Sequence, residues 1–388
     1  MTTRIRKAFL PFSPPDIGNE EIDAVVEALR SGWITTGPRT HAFEEEFASY
    51  TGANHALALA SGTAAIHCGL KAFGVGEGDA VVVPTMTFSS AAHTVEHVGA
   101  RPVFVDAEAE TLNPDPDRIA AAALDRNVRC VLPVHLYGHP CDDAIFDLGA
   151  PVVDDAAHAL PARTDGRLVG GSRRDRVLTA FSFYATKNIT TGEGGMLTGP
   201  EDLVEEARTW SLHGMTKDAI GRYEAGGSWR YDVTRAGFKY NMSDIQAALG
   251  LVQLRRLPEM HRRRTEIAHR YSSGLEGAEE IELPHVRGGV EHAWHIYAIR
   301  LHLDRLAVGR DRFIDELRER GIGTSVHFIP IHLLAYYRDR YALRPDDFPV
   351  ATREFERLVS LPIYPAMTDE DTDDVIEAVA DVSAKHRR

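Results

Sequence analysis

The chain has 388 residues, 44% of them hydrophobic and 26% charged, enough for one large globular domain and a smaller one. A formal net charge of -14 argues against general binding to nucleic acid or anionic membranes, which need a basic surface. Three cysteines without a CxxC pair (Cys68, Cys130, Cys141) make no disulfide framework and point to a reducing cytosol, and no apolar run reaches membrane length.

Taken in order, residues 1–18 read as an irregular arm with prolines at 11, 14 and 15 and no apolar leader. Asn19 is expected to cap a helix reaching Arg30, with Ile22, Val25, Val26 and Leu29 on its apolar face. SGWITTGP (31–38) is a loop, Thr40 to Tyr50 a helix, and Asn54 to Ala60 a short strand. Ser61, Gly62 and Thr63 then open a helix. A strand leading into Ser-Gly-Thr leaves backbone N–H groups free for an anion, although the tripeptide alone reads first as an ordinary capped helix start.

Strands and helices alternate from there: strand 80–83, helix 89–97, strand 102–105, helix 116–124, strand 128–134, a helix near 141–148, and Val152–Val153 running into Asp154 and Asp155. This pattern predicts an α/β sheet covered on both faces, with ligands at the carboxyl ends of its strands. His135, His139 and Cys141 suggest zinc, but no fourth ligand is spaced for it. Val177 to Tyr184 is a further strand. It precedes Lys187 and a glycine cluster at Gly192, Gly194 and Gly195.

Lys187 on a short loop between two buried strands is either a solvated cation or a desolvated amine with lowered pKa, fit to be a nucleophile. Thr63, Phe88, Asp155 and Lys187 all fall just past predicted strand ends, which argues for one shared site. Pyridoxal 5'-phosphate (PLP) would give each a task. Asp155 would pair with the ring nitrogen, Phe88 would stack on the ring, and His158 would donate to the phenolic oxygen. Gly62, Thr63 and Ser182 would hold the phosphate, and Lys187 would bind the aldehyde. Individually, each also reads as a helix cap, a core aromatic or a core histidine.

Residues 211–239 lack periodicity and read as a long loop. Lys217, Arg222, Arg230, Arg235 and Lys239 make it cationic, which suits a diphosphate, and Trp229 suits a base or sugar. A long helix from Ile245 to Ser273, broken near Pro258, is expected to join a large domain (1–255) to a small α+β domain (256–388). The small domain would hold a strand at 294–301, a helix at 310–320, and HFIPIH with His327 and His332 around a proline turn.

SGTAA, PTMTFSS, PVHLYG, VVDDAAHA, SFYATKNITTGEGGM and KYNMSDIQAALG occur in that order. Together they resemble the DegT/DnrJ/EryC1/StrS family of PLP-dependent sugar aminotransferases, from SGWITTGP to about Tyr364. The resemblance implies the aspartate-aminotransferase-like fold type I, with a large α/β/α domain and a small α+β domain. It makes Lys187 the Schiff-base lysine and Asp155 the pyridine partner, and it places His158 beside the phenolic oxygen with Gly62, Thr63 and Ser182 at the phosphate. Asn241 matches an asparagine that reaches the neighbouring subunit's cofactor, implying a homodimer with shared sites. Where many members read GYNYRMS this chain reads GFKYNMS, with Lys239 and Asn241. That form is similar to a subgroup acting on 4-keto nucleotide sugars, and HFIPIH, with His327, resembles 4-aminating members. The expected reaction moves an amino group from L-glutamate to C4 of a dTDP-4-keto-6-deoxyhexose. C3 amination, a UDP-linked or pentose sugar, a PLP-dependent sugar dehydratase and a non-catalytic PLP-binding regulator are the alternatives. In the family's dehydratases a histidine replaces the lysine retained here.

Overall fold

The computed structural model describes residues 6–172, 175–215 and 231–388. Its centre is a seven-stranded sheet in the order β1 (His55–Leu59), β9 (Gly195–Gly199), β8 (Val177–Ser182), β5 (Val152–Asp155), β4 (Val128–Val131), β2 (Ala80–Pro84) and β3 (Arg101–Val105). Neighbours from β8 to β3 pair in parallel, and β9 runs antiparallel to both β1 and β8. Strands β2, β5 and β9 are buried along their whole length, as a sheet covered on both faces requires. One face packs Leu57, Leu59, Val81, Val83, Val153 and Leu197 against α3 (Gly62–Ala72) and α4 (Ser90–His97). On the other, Ala58, Phe181 and Met196 meet Phe43 and Phe47 of α2 (Pro38–Thr51). Between β5 and β8, β6 (Arg163–Thr164) and β7 (Arg167–Leu168) form a small sheet with β11 (Val290–Glu291).

The first helix, α1 (Asn19–Ser31), is capped by Gly18 and not by Asn19. The Glu21 carboxylate reaches back to the Gly18 N–H at 2.9 Å, so a side chain from inside the helix does the capping. The buried Glu21 also accepts from Gln253 and Arg256, fixing α1 on α7 (Asp244–Leu275). The expected break at Pro258 does not occur; α7 is one helix of 32 residues. An interior proline costs about 3 kcal/mol. Packing offsets it here, because Leu254, Leu257 and Met260 lie buried with Phe43 and Phe183.

Further along α7, Ile267, Ala268, Tyr271 and Leu275 belong to a second core. It includes β12 (Tyr297–Leu301), β13 (Leu358–Leu361), α8 (Arg310–Glu319) and α11 (Asp369–His386), together with Leu10 of the N-terminal arm. Leu10 exchanges backbone hydrogen bonds with Gly321 and Gly323, both at 2.8 Å. Three other expectations shift. The segment near 141–148 is a 3-10 turn, Asp143–Asp147, and β4 stops at Val131. Strand β12 starts at Tyr297 and not Trp294, because Trp294 takes a positive φ of 48°.

Candidate active site

The parallel register sets the carboxyl ends of β1, β2, β4, β5 and β8 on one edge of the sheet. Leu59, Gly195 and Ser182 lie in line across β1, β9 and β8, and Asp155 pairs with Ala180. The β8–β9 loop carrying Lys187 is therefore a hairpin connection with both stems in the sheet. Asn188 anchors it further, its Nδ2 donating to Leu160 O at 2.7 Å and Ala293 O at 2.8 Å.

Helix α3 begins on the same edge. Ser61 is its N-cap, the hydroxyl accepting from Ala64 N–H at 3.1 Å. The N–H groups of Gly62 and Thr63 lie outside the intrahelical ladder and face the macrodipole's positive end, ready for an anion. A Cβ on Gly62 would lie 2.8 Å from Ser182 Cβ, and one on Gly195 would lie 2.5 Å from the Ser61 carbonyl. Both glycines are needed for the helix terminus to close on the strand ends. Thr63 is exposed in the first turn, and Ser182 is half-buried opposite Gly62.

Asp155 and Lys187 act on each other electrostatically across this edge. Burial pushes the Asp155 carboxyl up to about 6, against the Ala157 N–H at 3.0 Å and the Lys187 charge. Lost hydration brings the half-buried Lys187 down to about 8, against the pull of Asp155. At pH 7 about a tenth of such a lysine is free base, far more than for an ordinary lysine, as a nucleophile or proton carrier requires.

His158 follows Asp155 by three residues and is buried. Its Nδ1 accepts the Tyr137 N–H at 3.2 Å, so the proton of the neutral ring resides on Nε2. Burial and the Lys187 charge hold the ring far below the usual imidazole range, hence neutral. The ring lies tilted against His295 (4.4 Å between centroids) and stacks on Phe328 (5.7 Å). Tyr137 and Trp294 both take positive φ, 61° and 48°, a strained conformation that persists only where its surroundings enforce it. Here Gly138 and Tyr137 carbonyls accept from Ala293 and Ile296, closing two strained turns around His158. Tyr137, Asn188, His295 and Phe328 were not singled out from the sequence. PVHLYG enters only as a strand and a motif of the family resemblance, with no role for Tyr137, and nothing in the spacing of His295 or Phe328 brings either to Asp155.

Phe88 is exposed, its ring 5.7 Å from Phe328. His327 reaches the same group: its Nδ1 is 2.9 Å from Ser360 Oγ, its ring stacks on Phe12, and burial, with the Lys187 charge, lowers it to about 4. Asn241 bridges Leu59 on the edge strand, and its side chain bonds Thr36 Oγ1 at 2.7 Å and Lys239 Nζ at 2.5 Å. Lys239 is exposed. Lys217, Arg222, Trp229 and Arg230 lie outside the described residues. The residues considered for zinc have protein partners: His135 binds Asp154 and the Cys141 N–H, His139 accepts from Arg287 N–H, and the Cys141 thiol donates to Val134 O.

Residues 15–380 match the DegT/DnrJ/EryC1/StrS aminotransferase family model. The chain is 48% identical over 384 residues to the spore coat polysaccharide biosynthesis protein SpsC of Bacillus subtilis, covering 97% of this chain and 98% of that protein. Among solved structures, the candidate sugar aminotransferase Spr1654 of Streptococcus pneumoniae in its PMP-form superposes with a TM-score of 0.90 at 38% identity, covering 97% and 99% of the two chains. The S. venezuelae protein DesV, solved with a ketimine intermediate, gives 0.87 at 32%, covering 96% and 99%.

Proposed function

Because the chain belongs to the DegT/DnrJ/EryC1/StrS aminotransferase family, we propose that it takes an amino group from L-glutamate and places it on C4 of a dTDP-4-keto-6-deoxyhexose. It is a PLP-dependent sugar aminotransferase of fold type I. The finer reading, in which the sugar is nucleotide-linked and the enzyme a homodimer with shared sites, is our own. Membership of a "spore coat polysaccharide" protein among the relatives favours a surface glycan as the destination.

The residues fit the cofactor. The α3 terminus forms a cradle that a single Cβ would fill, a buried carboxylate stands where a ring cation would find it, and a neutral imidazole offers one N–H. When bound, PLP supplies an electron-accepting ring that carries the amino group between donor and sugar. Gly62, Thr63 and Ser182 would hold its phosphate. Asp155 would keep the ring nitrogen protonated, and the Nε2–H of His158 would donate to its phenolic oxygen. Lys187 would hold the cofactor and, once displaced by the donor, move a proton at Nζ, for which a value of about 8 is well placed. Phe88 and Phe328 would cover the open side. His327, Lys239 and the 216–230 segment with Arg222, Trp229 and Arg230 would receive the sugar nucleotide.

The observation that carries this reading is the meeting of buried Asp155, the Lys187 loop and the α3 terminus on one sheet edge, where each of the two charges shifts the other. The test is to incubate the PLP-loaded protein with L-glutamate, then offer a panel of keto sugar nucleotides and identify products by mass spectrometry. Amination at C4 of the dTDP-linked 6-deoxy sugar is expected. Preference for a 3-keto or UDP-linked sugar would overturn the substrate assignment, and no amino transfer from glutamate would overturn the donor.

A further inference from the structure

Strand β5 carries a second buried carboxylate, Asp154, one residue before Asp155 and so on the opposite face of the sheet. The chemistry above does not use it. His135 Nε2 lies 2.8 and 2.9 Å from its two oxygens, and Thr179 Oγ1 on β8 donates to it at 3.4 Å. His135 Nδ1 accepts the Cys141 N–H at 2.7 Å, so the ring carries its one proton on Nε2 and donates it to Asp154. The pair therefore retains the carboxylate's negative charge. His135 also binds Asp155 through the backbone, its N–H donating to Asp155 O at 3.1 Å, while Asp155 N–H donates to Pro133 O at 2.9 Å. One residue thus fixes both neighbouring aspartates.

A buried, unneutralised charge is expensive to keep. We propose that Asp154, held by His135 and Thr179, is a fixed negative charge behind Asp155 that strengthens the hold of Asp155 on a protonated ring nitrogen, which makes Asp154 and His135 positioning residues for the reaction. The inference rests on the reading of Asp155 given above. The charged groups around the pair agree in sign. Asp154 adds to the burial that makes Asp155 a weaker acid, Lys187 opposes from the β8–β9 loop, and the Cys141 thiol is pushed up by burial and by Asp154, hence neutral. A unit charge roughly 10 Å away at an effective dielectric of about 20 moves a titration by on the order of one pH unit.

The experiment is to load wild-type, D154N, D154E and D155N proteins with PLP labelled with 15N at the ring nitrogen, follow its chemical shift with pH, and measure PLP affinity of each apoprotein. In D154N the ring nitrogen is expected to lose its proton about one pH unit lower than in wild type, with PLP affinity reduced about tenfold; D154E should restore both. An unchanged midpoint in D154N overturns the inference, as does a loss of affinity that merely follows a lower unfolding temperature of the apoprotein. If D155N also leaves the midpoint unchanged, the fault lies in the reading of Asp155 and not in the pair. Should D154N fail to fold, the double variant H135N/D154N replaces both partners together, which buried pairs tolerate better than loss of one. The same shift is expected there, and its absence overturns the proposal.

Discussion

Gly195, the first residue of β9, faces Ser61, the cap of α3, so closely that a Cβ on the glycine would lie 2.5 Å from the serine carbonyl carbon and oxygen and 2.6 Å from Gly62 N. Atoms of the backbone, unlike a side-chain tip, cannot swing aside. The approach brings the free N–H groups of α3 onto the strand ends where Lys187 and Asp155 emerge.

Gly195→Ala should accordingly push α3 away from β9. Overpacking of this kind costs about 1–3 kcal/mol of stability. PLP affinity of the apoprotein, read by absorbance titration, should fall at least tenfold. An alanine variant with wild-type PLP affinity would show that the cradle is not the phosphate site.

Lys187→Ala should abolish amino transfer while the protein stays folded. Borohydride reduction of the PLP-loaded wild type, followed by peptide mapping, should place the pyridoxyl group on Lys187; a label on Lys71, Lys217 or Lys239 would refute the assignment. In the apoprotein, reaction of Lys187 with a small amine-selective reagent should be half-maximal near pH 8 instead of 10.5, following its lowered value.

Asp155→Asn should separate stability from function. The Asp155 carboxyl rises from 3.8 to about 6 on folding, so the native state holds a proton there more tightly than the unfolded chain. A group raised in this way opposes folding once ionised, fully above pH 6 and not at all below 3.8. Urea unfolding of the apoprotein at pH 8 should therefore find the asparagine variant more stable, by about 1–3 kcal/mol once the lost counter-charge of Lys187 is allowed for. The advantage should close as pH falls from 6 to 4. The same variant should slow the glutamate half-reaction at least tenfold, about 1.4 kcal/mol of barrier. A wild type more stable than the variant at pH 8 would contradict the burial argument.

Asn241 tests the assembly. Within the chain its amide is tied to Thr36 and its carbonyl to Lys239, which presents the pair at the edge strand beside Leu59. Light scattering should find a dimer or larger, and Asn241→Ala should weaken PLP retention on dilution. Lys239→Ala should raise the Michaelis constant for the sugar nucleotide severalfold and leave the glutamate half-reaction nearly unchanged. A fully active monomer would refute the shared site.

The alternating strands and helices were legible in the sequence, and its motifs pointed to Lys187, Asp155 and His158 as the proposed site, because those features are local: apolar periodicity, a glycine cluster, a carboxylate at a strand end. It did not carry the continuity of α7 through Pro258, where burial of Leu257 and Met260 decides against the proline rule. Nor did it show Gly18 as the α1 cap, since Glu21 supplies the bond from three residues ahead. His295 and Phe328 reach His158 from segments more than 130 residues away. Only the fold brings them there, and a histidine in EHAWHIY looks like any other core residue until Trp294 is seen turning the backbone.

The seating of Leu10 against Gly321 and Gly323 also sets a timetable. Roughly 300 residues separate these partners. A ribosome working at about 5–20 residues per second exposes the second only some 15–60 s after the first. Phe12, which packs on His327, and Ser13, which donates to Thr186 O at 3.5 Å beside Lys187, belong to the same arm. This arm, made well before the segment that seats it, is thus among the last to find its place, and a nascent chain halted before residue 321 cannot finish the wall beside Lys187, however well its sheet has formed.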